Sequence, residues 1–213
     1  VATFDDGSGV YDVHNAIWSI AFSPDGQSIA AGFGQGNILI WDVATGEILQ
    51  VLQSHQEWVR GLAFSPDGKT LFSSSNDQSI RVWSLESGEV VQQLDGHTDW
   101  VMTLALSPNG KILASAGHDQ TIRLWAIDDS QSVTLLDTLT DHTGSILAVD
   151  FSADGRYLAS ASSDESIKLW DIAERKRVHE LRTAGPYQGT NIAGATGLTD
   201  AQRATLRKLG AVG

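Results

Sequence analysis

The chain has 213 residues, of which 41% are hydrophobic and 19% charged, and its 26 acidic and 14 basic side chains give a formal net charge of −12. This balance indicates a folded chain of one domain or two small ones and excludes a disordered protein. It has no apolar run of the roughly 20 residues that a membrane span needs and no basic-then-apolar leader, while the absence of cysteine excludes disulfides, thiolate metal sites and a cysteine nucleophile.

The charge is unevenly distributed. Residues 1–172 hold 7 Lys or Arg and 23 Asp or Glu, whereas residues 173–213 hold 7 and 3. A nucleic-acid-binding surface needs a basic stripe, so we expect no nucleic acid and no membrane among the partners. The acidic body favours a basic partner; the alternative is that acidic loops only keep a β-rich protein in solution. A chain without cysteine fits a reducing cytoplasm, and a start at Val1 indicates a piece of a longer protein.

One pattern recurs four times along the chain. In each copy a tryptophan stands 19 residues after an apolar residue at which a turn opens, and these tryptophans are Trp41, Trp83, Trp125 and Trp170. The tryptophans lie 42, 42 and 45 residues apart, and the turns read SPDG, SPDG, SPNG and SADG. In such a turn proline pre-sets φ at the first central position, and glycine supplies the left-handed residue that closes a hairpin. The spacing indicates a hairpin-based repeat.

Strands are predicted around each turn because apolar and polar residues alternate there with period two. In the second copy the predicted strands are 59–64, 70–75, 79–85 and 89–94. Four short antiparallel strands per repeat are typical of one blade of a β-propeller. The sequence therefore predicts an all-β fold with consecutive four-stranded blades at about residues 13–53, 54–95, 96–140 and 141–183, after a lead-in or the end of an earlier blade at 1–12.

The blade pattern stops after Arg182. Residues 184–213 are predicted to form a glycine-rich linker and a short C-terminal helix. Thr199 and Gln202 form a capping box at the start of that helix, and basic residues stand in its last turn. We expect this tail to serve as a tether or as a cap for the last blade.

Two dipeptides identify a family likeness. Gly96-His97 opens the third copy and Trp170-Asp171 closes the third strand of the fourth, and they resemble the Gly-His and Trp-Asp signatures of the WD-repeat β-propeller family. The resemblance covers about residues 13–182, and multi-repeat WD proteins of bacteria, of the cyanobacterial type, are the most similar in kind. It implies a propeller that binds partners and has neither catalytic residues nor a cofactor.

Three copies repeat a set of Ser, His, Asp and Trp at fixed offsets. A Ser-His-Asp set suggests a hydrolase, but a catalytic serine needs one open site with an oxyanion hole, which three identical sets beside an indole do not offer. We favour a structural network in which Trp bonds Ser, Ser bonds His and His bonds Asp. The predicted networks are His55, Ser73, Asp77 and Trp83; His97, Ser115, Asp119 and Trp125; and His142, Ser160, Asp164 and Trp170.

The first copy departs from this pattern. Ala31 replaces the serine, Gln35 replaces the aspartate, and His14 lies one residue closer to its strand than the other histidines do. We therefore expect the first blade to be the loosest. The glycine-rich stretch 32–36 is predicted to be a hairpin and not a nucleotide-binding loop, because no helix follows it. No two histidines stand at metal-ligand spacing, so no metal site is expected.

The resemblance also implies a binding surface. WD-repeat proteins commonly bind partners on the rim where the first strand of a blade begins and the second ends. Trp, Arg and Met at such positions are typical of interface hot spots; the alternative is that Trp58 and Trp100 cap the neighbouring blade. The candidate rim residues are Trp18, Trp58, Arg60, Asn76, Trp100, Met102, His118, Ser145, Leu147 and Ser163, with Ala16 and Gly34 at the remaining positions of the first copy.

The pattern and the resemblance favour a scaffold or sensor domain that binds a protein or peptide without catalysis. The resemblance implies the C-terminal part of a larger bacterial signalling protein. The alternative is a targeting or regulatory propeller of a multidomain enzyme, such as a kinase, a protease or a nucleotide-switch ATPase, whose catalytic domain is absent from this chain.

Ring closure is the last expectation. WD-repeat domains usually close with about seven blades, and an open arc of four exposes apolar faces at its ends, with Ile38 and Ile40 or Ile167 and Leu169 as candidates. Exposed faces and unpaired edges invite association. We expect either upstream blades or a second chain to complete the ring.

Overall fold

The described chain consists of sixteen strands followed by one helix. A computed structural model of the chain describes residues 16–182, 193, 199–208 and 212. In chain order the elements are β1 (Ile17–Phe22), β2 (Ser28–Phe33), β3 (Asn37–Asp42), β4 (Ile48–Gln53), β5 (Val59–Phe64), β6 (Thr70–Ser75), β7 (Ile80–Ser84), β8 (Glu89–Leu94), β9 (Val101–Leu106), β10 (Ile112–Gly117), β11 (Ile122–Ile127), β12 (Val133–Leu139), β13 (Ile146–Phe151), β14 (Tyr157–Ser162), β15 (Ser166–Asp171), β16 (Lys176–Arg182) and α1 (Asp200–Lys208).

The strands form four sheets, each a meander of four strands in chain order. We call the sheets blade 1 (β1–β4), blade 2 (β5–β8), blade 3 (β9–β12) and blade 4 (β13–β16). The inner strands are β1, β5, β9 and β13, because each packs against the inner strand of an adjacent blade. The predicted all-β fold of four four-stranded blades with a short C-terminal helix is confirmed.

The turn residues recur at the same spacing in each repeat for a direct structural reason. In blade 2 the Ser65 hydroxyl donates to Asp67 Oδ1 at 2.6 Å and accepts from Thr70 N at 2.9 Å, which closes the β5–β6 hairpin. Turns of adjacent blades also touch: a β-carbon on Gly110, where φ is +69°, would lie 2.8 Å from Pro66 Cδ. Glycine is therefore required there both for its left-handed φ and for the approach of the preceding blade.

The hydrophobic core lies between successive blades. At the junction of blades 2 and 3, Phe72, Ile80 and Val82 pack with Val101 and Trp125. Similar clusters fill the junctions of blades 1 and 2 and of blades 3 and 4. Each internal blade thus has a forward face that packs on the following blade and a backward face that packs on the preceding one.

Blade 1 corrects one expectation. Ile38 and Ile40, predicted on an exposed end face, are buried, because they lie on the forward face of blade 1 in the cluster with blade 2. That prediction is wrong. The open face of blade 1 is its backward face, where Ile17 is exposed and Ile20 and Phe22 are 63% and 60% exposed.

Blade 4 has the other open face. Ile167 on β15 is exposed, as expected, and Leu169 is half-buried. The described part of the array therefore ends in one uncovered backward face and one uncovered forward face.

The tail contains the one described helix. Residues 181–213 form a second compact unit, in which the predicted capping box is present: Thr199 N donates to Gln202 Oε1 at 2.9 Å, and Gln202 N donates to Thr199 Oγ1 at 3.2 Å. Within the described ranges no helix combines the length and apolar character that crossing a bilayer requires. The lead-in predicted at 1–12 lies outside the described residues, as does most of the predicted linker.

Candidate functional site

A bulge displaces the equivalent residue from the inner strand of every blade. In β5 the pairing with β6 skips Arg60, because Val59 and Gly61 face consecutive residues of β6. A bulge bends the strand and re-aims the side chain of the extra residue. All four skipped residues belong to the predicted rim, and they are Trp18, Arg60, Met102 and Leu147.

The loop between the second and third strands lies beside each bulge. Asn76 N donates to Trp58 O at 3.0 Å in blade 2, and His118 N donates to Trp100 O at 2.9 Å in blade 3. At Gly117 a β-carbon would lie 1.9 Å from Trp100 O, so glycine is required for this approach in blade 3. These backbone bonds hold the predicted rim residues of the two strands side by side.

An aromatic cluster forms where the rims of blades 1, 2 and 3 meet. The indoles of Trp18 and Trp58 stack with ring centroids 4.4 Å apart and planes 14° from parallel. The guanidinium carbon of Arg60 lies 4.5 Å from the Trp18 ring and 4.6 Å from the Trp58 ring. It lies 6.0 Å from the Trp100 ring. We call Trp18, Trp58, Arg60, Asn76, Trp100 and His118 the rim cluster.

Polar contacts and burial complete the geometry of the rim cluster. Arg60 Nε donates to Oδ1 of the buried Asn76 at 3.0 Å. The rings of Trp100 and His118 lie with their centroids 4.9 Å apart. Trp18 and Trp100 are 40% and 41% exposed, whereas Trp58 and Arg60 are half-buried. Trp58 thus joins two blades within a cluster that still presents indole surface to solvent.

The other four candidate rim residues lie outside this cluster. Leu147 and Ser163 are exposed, and Met102 and Ser145 are half-buried. Ser163 N donates to Ser145 O at 2.9 Å, which repeats in blade 4 the loop-to-strand bond of blades 2 and 3. The structure therefore brings six of the ten candidates into one connected cluster and leaves four on the remainder of the rim.

The Ser, His, Asp and Trp sets lie within blades 2, 3 and 4. In blade 2, Trp83 Nε1 donates to Ser73 Oγ at 2.8 Å, and His55 bonds Ser73 Oγ through Nε2 at 2.7 Å and Asp77 through Nδ1 at 2.8 Å. The corresponding distances are 2.8, 2.8 and 2.7 Å in blade 3 and 2.9, 2.7 and 2.8 Å in blade 4. The further members are His97, Ser115, Asp119 and Trp125 in blade 3 and His142, Ser160, Asp164 and Trp170 in blade 4.

Burial and hydrogen bonding set the charges of these networks. Burial raises the pKa of Asp77, but hydrogen bonds accepted from His55 and Ser79 outweigh it and hold that pKa well below its usual range. In blade 3, burial raises the pKa of Asp119, but hydrogen bonds from His97 and Thr121 outweigh it and lower that pKa to about 2. Burial lowers the pKa of His55, and this effect is larger than the opposing effect of the hydrogen bond to Asp77, which raises it. Blade 2 therefore holds a neutral imidazole between a hydroxyl and an ionised carboxylate at neutral pH.

These sets lack the accessibility that nucleophilic catalysis requires. The serines of the three networks are at most 1% exposed, and each hydroxyl already bonds an indole and an imidazole. Chains of hydrogen bonds that satisfy every buried member stabilise a fold. Within the described ranges no three His, Asp or Glu side chains are grouped in a way that could hold a metal ion.

Blade 1 differs as its sequence indicates. A buried Ala31 occupies the position of the network serine, and the glycine-rich stretch is a hairpin whose strands end at Phe33 and resume at Asn37. His14, predicted to be a poor counterpart of the other histidines, lies outside the described residues.

Sequence reasoning missed the contacts between copies. Trp18 and Arg60 stand 42 residues apart, at the same repeat position of adjacent blades, and the structure brings their side chains together. The signal in the sequence is that Trp18 and Arg60 occupy the same position in consecutive repeats, since equivalent positions of adjacent blades lie next to each other.

Comparison with known proteins divides the chain into repeats. The profile of the family described as "WD domain, G-beta repeat" matches residues 7–42, 46–84, 88–126 and 133–171, which together make up most of the chain. The solved structure "Structure of U3-55K" superposes with a TM-score of 0.73 at 25% identity, over 79% of this chain and 52% of that chain. This chain thus spans about half the length of that structure.

A curated relative matches over a shorter stretch. The "Probable serine/threonine-protein kinase PkwA" of Thermomonospora curvata is 48% identical over 42 residues, which is 20% of this chain and 6% of that protein. The matched stretch has the length of one repeat.

Proposed function

Because the chain belongs to the family of WD domain, G-beta repeats, we propose that it is a non-catalytic module that binds a protein or peptide on the rim of blades 1 to 3. Repeats of this family form propellers that serve as protein-interaction scaffolds. In this chain the rim cluster is the surface best suited to that role.

The observation that carries the proposal is the exposed indole surface of the rim cluster. Trp18 and Trp100 keep two fifths of their surface accessible while Arg60 and the stacked Trp58 hold the cluster rigid. Tryptophan and arginine are among the residues most enriched in interface hot spots, and tryptophan buries much area at little cost in conformational entropy. Bulged residues at the same position in each blade support the same use of this rim.

The charge of the chain supports a partner that is basic overall. The blades carry a large excess of Asp and Glu, which attracts a cationic partner over long range and repels nucleic acid. We propose a protein or peptide, and neither nucleic acid nor a membrane, as the ligand of the rim.

The open faces support completion of the ring by further blades. Val59, Val101 and Ile146, the equivalents of Ile17, are all buried against a preceding blade. Ile20 and Phe22 likewise stand where the other blades place residues packed on their predecessor. We propose that a blade of the same kind covers this face, either from upstream in a longer protein or from a second chain.

The forward face of blade 4 supports the same proposal. Ile167 occupies the position of Ile38, Ile80 and Ile122, and each of those three is fully buried against a following blade. The open face of blade 1 matches the backward side of the junctions between blades, and the open face of blade 4 matches their forward side. A ring of further WD blades is therefore the assembly that fits both faces.

The wider context is proposed from the kind of relative. The matched relative is named a probable kinase, and the matched stretch is a small part of it. We propose that this chain is the C-terminal, partner-binding part of a larger bacterial signalling protein in the cytoplasm. The second candidate is the targeting or regulatory propeller of a multidomain enzyme, which the name of that relative favours.

The test removes two indoles of the rim cluster, the half-buried Trp58 and the exposed Trp100. A peptide library displayed on phage is selected on the immobilised chain, and the recovered peptides are titrated against the double variant Trp58→Ala, Trp100→Ala. The matched control is Val91→Ala, Leu135→Ala, which trims exposed apolar residues from outer strands of the same two blades. We expect the rim variant to lose about tenfold or more in affinity and the control to lose none.

Circular dichroism decides whether the site is a surface. The rim variant should keep the strand signal of the parent chain. If both tryptophan substitutions unfold the chain, these residues belong to the core and the site assignment is wrong. Peptides that bind both variants equally would move the docking surface away from the rim.

A further inference from the structure

Among the described residues, Arg60 has no carboxylate partner of the kind that Arg156 has. The guanidinium of Arg156 lies 4.9 Å from the Tyr157 ring, and its Nε donates to Asp171 at 3.3 Å. Arg60 lies against the indoles of the rim cluster, but its hydrogen bond goes to the neutral amide of Asn76. Among the described residues none of the ion pairs includes Arg60.

The surroundings of Arg60 make it a receptor for an anion. Contact with indoles removes water from the guanidinium, and this burial lowers the pKa of Arg60. A partly desolvated cation gains more from a counter-ion than a fully hydrated one does. With Nε fixed on Asn76, the planar fork is oriented in advance, and its terminal nitrogens suit the two oxygens of a carboxylate or phosphate.

Two features restrict which anions can use this position. The indoles of Trp18 and Trp100 present exposed apolar surface next to the cation, so the anion is best carried by a segment with apolar neighbours. The acidic blades repel free anions in solution. Apolar contact and ion pairing are therefore both needed for binding.

From this geometry we propose that the rim cluster recognises an anionic side chain flanked by apolar residues, with Arg60 as the residue that pairs with the anion. The proposal rests on the proposed partner-binding function and adds the chemistry of the anchor. Carboxylate and phosphate share that chemistry, and a partner that is basic overall can present either one locally.

The experiment compares defined peptides. The probes are acetyl-Ala-Phe-Glu-Phe-Ala-amide, the same peptide with Gln in place of Glu, the same peptide with phosphoserine in that place, and inorganic phosphate. Binding is followed by the indole N–H resonances of the ¹⁵N-labelled chain. We expect the Glu peptide to bind about tenfold or more tightly than the Gln peptide, the range set by a charged hydrogen bond, and inorganic phosphate not to bind.

Matched variants identify the residue responsible. Arg60→Met keeps the apolar stem and should remove the preference for Glu over Gln, and Arg60→Lys should retain part of it. The control Arg156→Met removes an arginine that already has its own carboxylate and should leave the preference unchanged. Tighter Arg60-dependent binding of the phosphoserine peptide would identify phosphate as the source of the anion.

Equal binding of the Glu and Gln peptides, or a preference that survives in Arg60→Met, overturns the proposal. Binding that depends on Trp58 and Trp100 but not on Arg60 would leave the docking surface standing and reject only the anion site. Both proposals together require that the rim double variant lose binding and that Arg60→Met lose the preference for Glu over Gln.

Discussion

Adjacent serines in β6 offer a direct test of what the buried networks contribute to stability. Ser73 and Ser74 are both fully buried, and either can be changed to alanine with the loss of one oxygen atom. Ser73 Oγ bonds Trp83 Nε1 at 2.8 Å and His55 Nε2 at 2.7 Å. Ser74 Oγ has no hydrogen-bond partner among the described residues. The two substitutions therefore differ in hydrogen bonding and hardly at all in volume or burial.

Ser73→Ala leaves two buried groups unpaired, the indole N–H and one imidazole nitrogen. Each such group costs about 1–3 kcal/mol, so we expect a loss of roughly 2–6 kcal/mol in the free energy of unfolding. Ser74→Ala removes a hydroxyl that is buried without a partner, so it should be neutral or slightly stabilising. Urea unfolding followed by circular dichroism measures both. If the two variants lose the same stability, hydrogen bonding in the network does not stabilise the blade.

Acid and self-association give two further predictions. The folded pKa of Asp119 is about 2, below the roughly 3.9 of an unfolded aspartate, so the stability that this carboxylate contributes is complete above the unfolded pKa and is lost as the pH falls towards the folded pKa. Asp119→Asn should therefore flatten the profile of unfolding free energy between about pH 4 and 2 and lower stability at neutral pH. An unchanged profile would contradict this. Light scattering on the purified chain should show assemblies larger than one chain. Phe22→Lys on the open face of blade 1 should disrupt these assemblies, and Val91→Lys on an outer strand should not. A monodisperse monomer that melts cooperatively would mean that four blades need no further blade.

The fold could be predicted because the repeat fixes it at several levels at once. The turn residues around Ser65 and Gly68 specify a hairpin, and the alternation around them specifies strands of matching length. Four copies in register made the number of blades readable from the spacing of Trp41, Trp83, Trp125 and Trp170. The helix was readable for a similar reason, since its capping box lies within a few residues of sequence.

The assignment of faces failed because both sides of a propeller blade are buried. Period-two alternation shows that Ile38 and Ile40 share a face, but it does not show whether that face meets the preceding or the following blade. In an ordinary sheet with one wet face this ambiguity does not arise. The clusters between blades resolve it, because Ile38 and Ile40 pack with residues of blade 2.

The rim cluster was only partly accessible to sequence reasoning for another reason. The bulge that releases Arg60 from the ladder leaves no mark in the alternation pattern, and the stack of Trp18 on Trp58 joins residues of two different copies. Such contacts depend on the rotation between blades, which is a property of packing at the junctions and not of any one repeat.

The same packing explains why the networks repeat while the rim varies. A network hydroxyl such as that of Ser115 bonds His97 and Trp125 of its own repeat, so every repeat that keeps the set makes the same hydrogen bonds. At the bulge, Trp18 and Arg60 contact the rims of neighbouring blades. The four bulged residues differ from blade to blade, being Trp18, Arg60, Met102 and Leu147. If those positions were needed for the fold, one residue type would serve in all of them. Their diversity, at a position that each blade builds with the same bulge and the same loop bond, supports the proposed role of the rim as a binding surface.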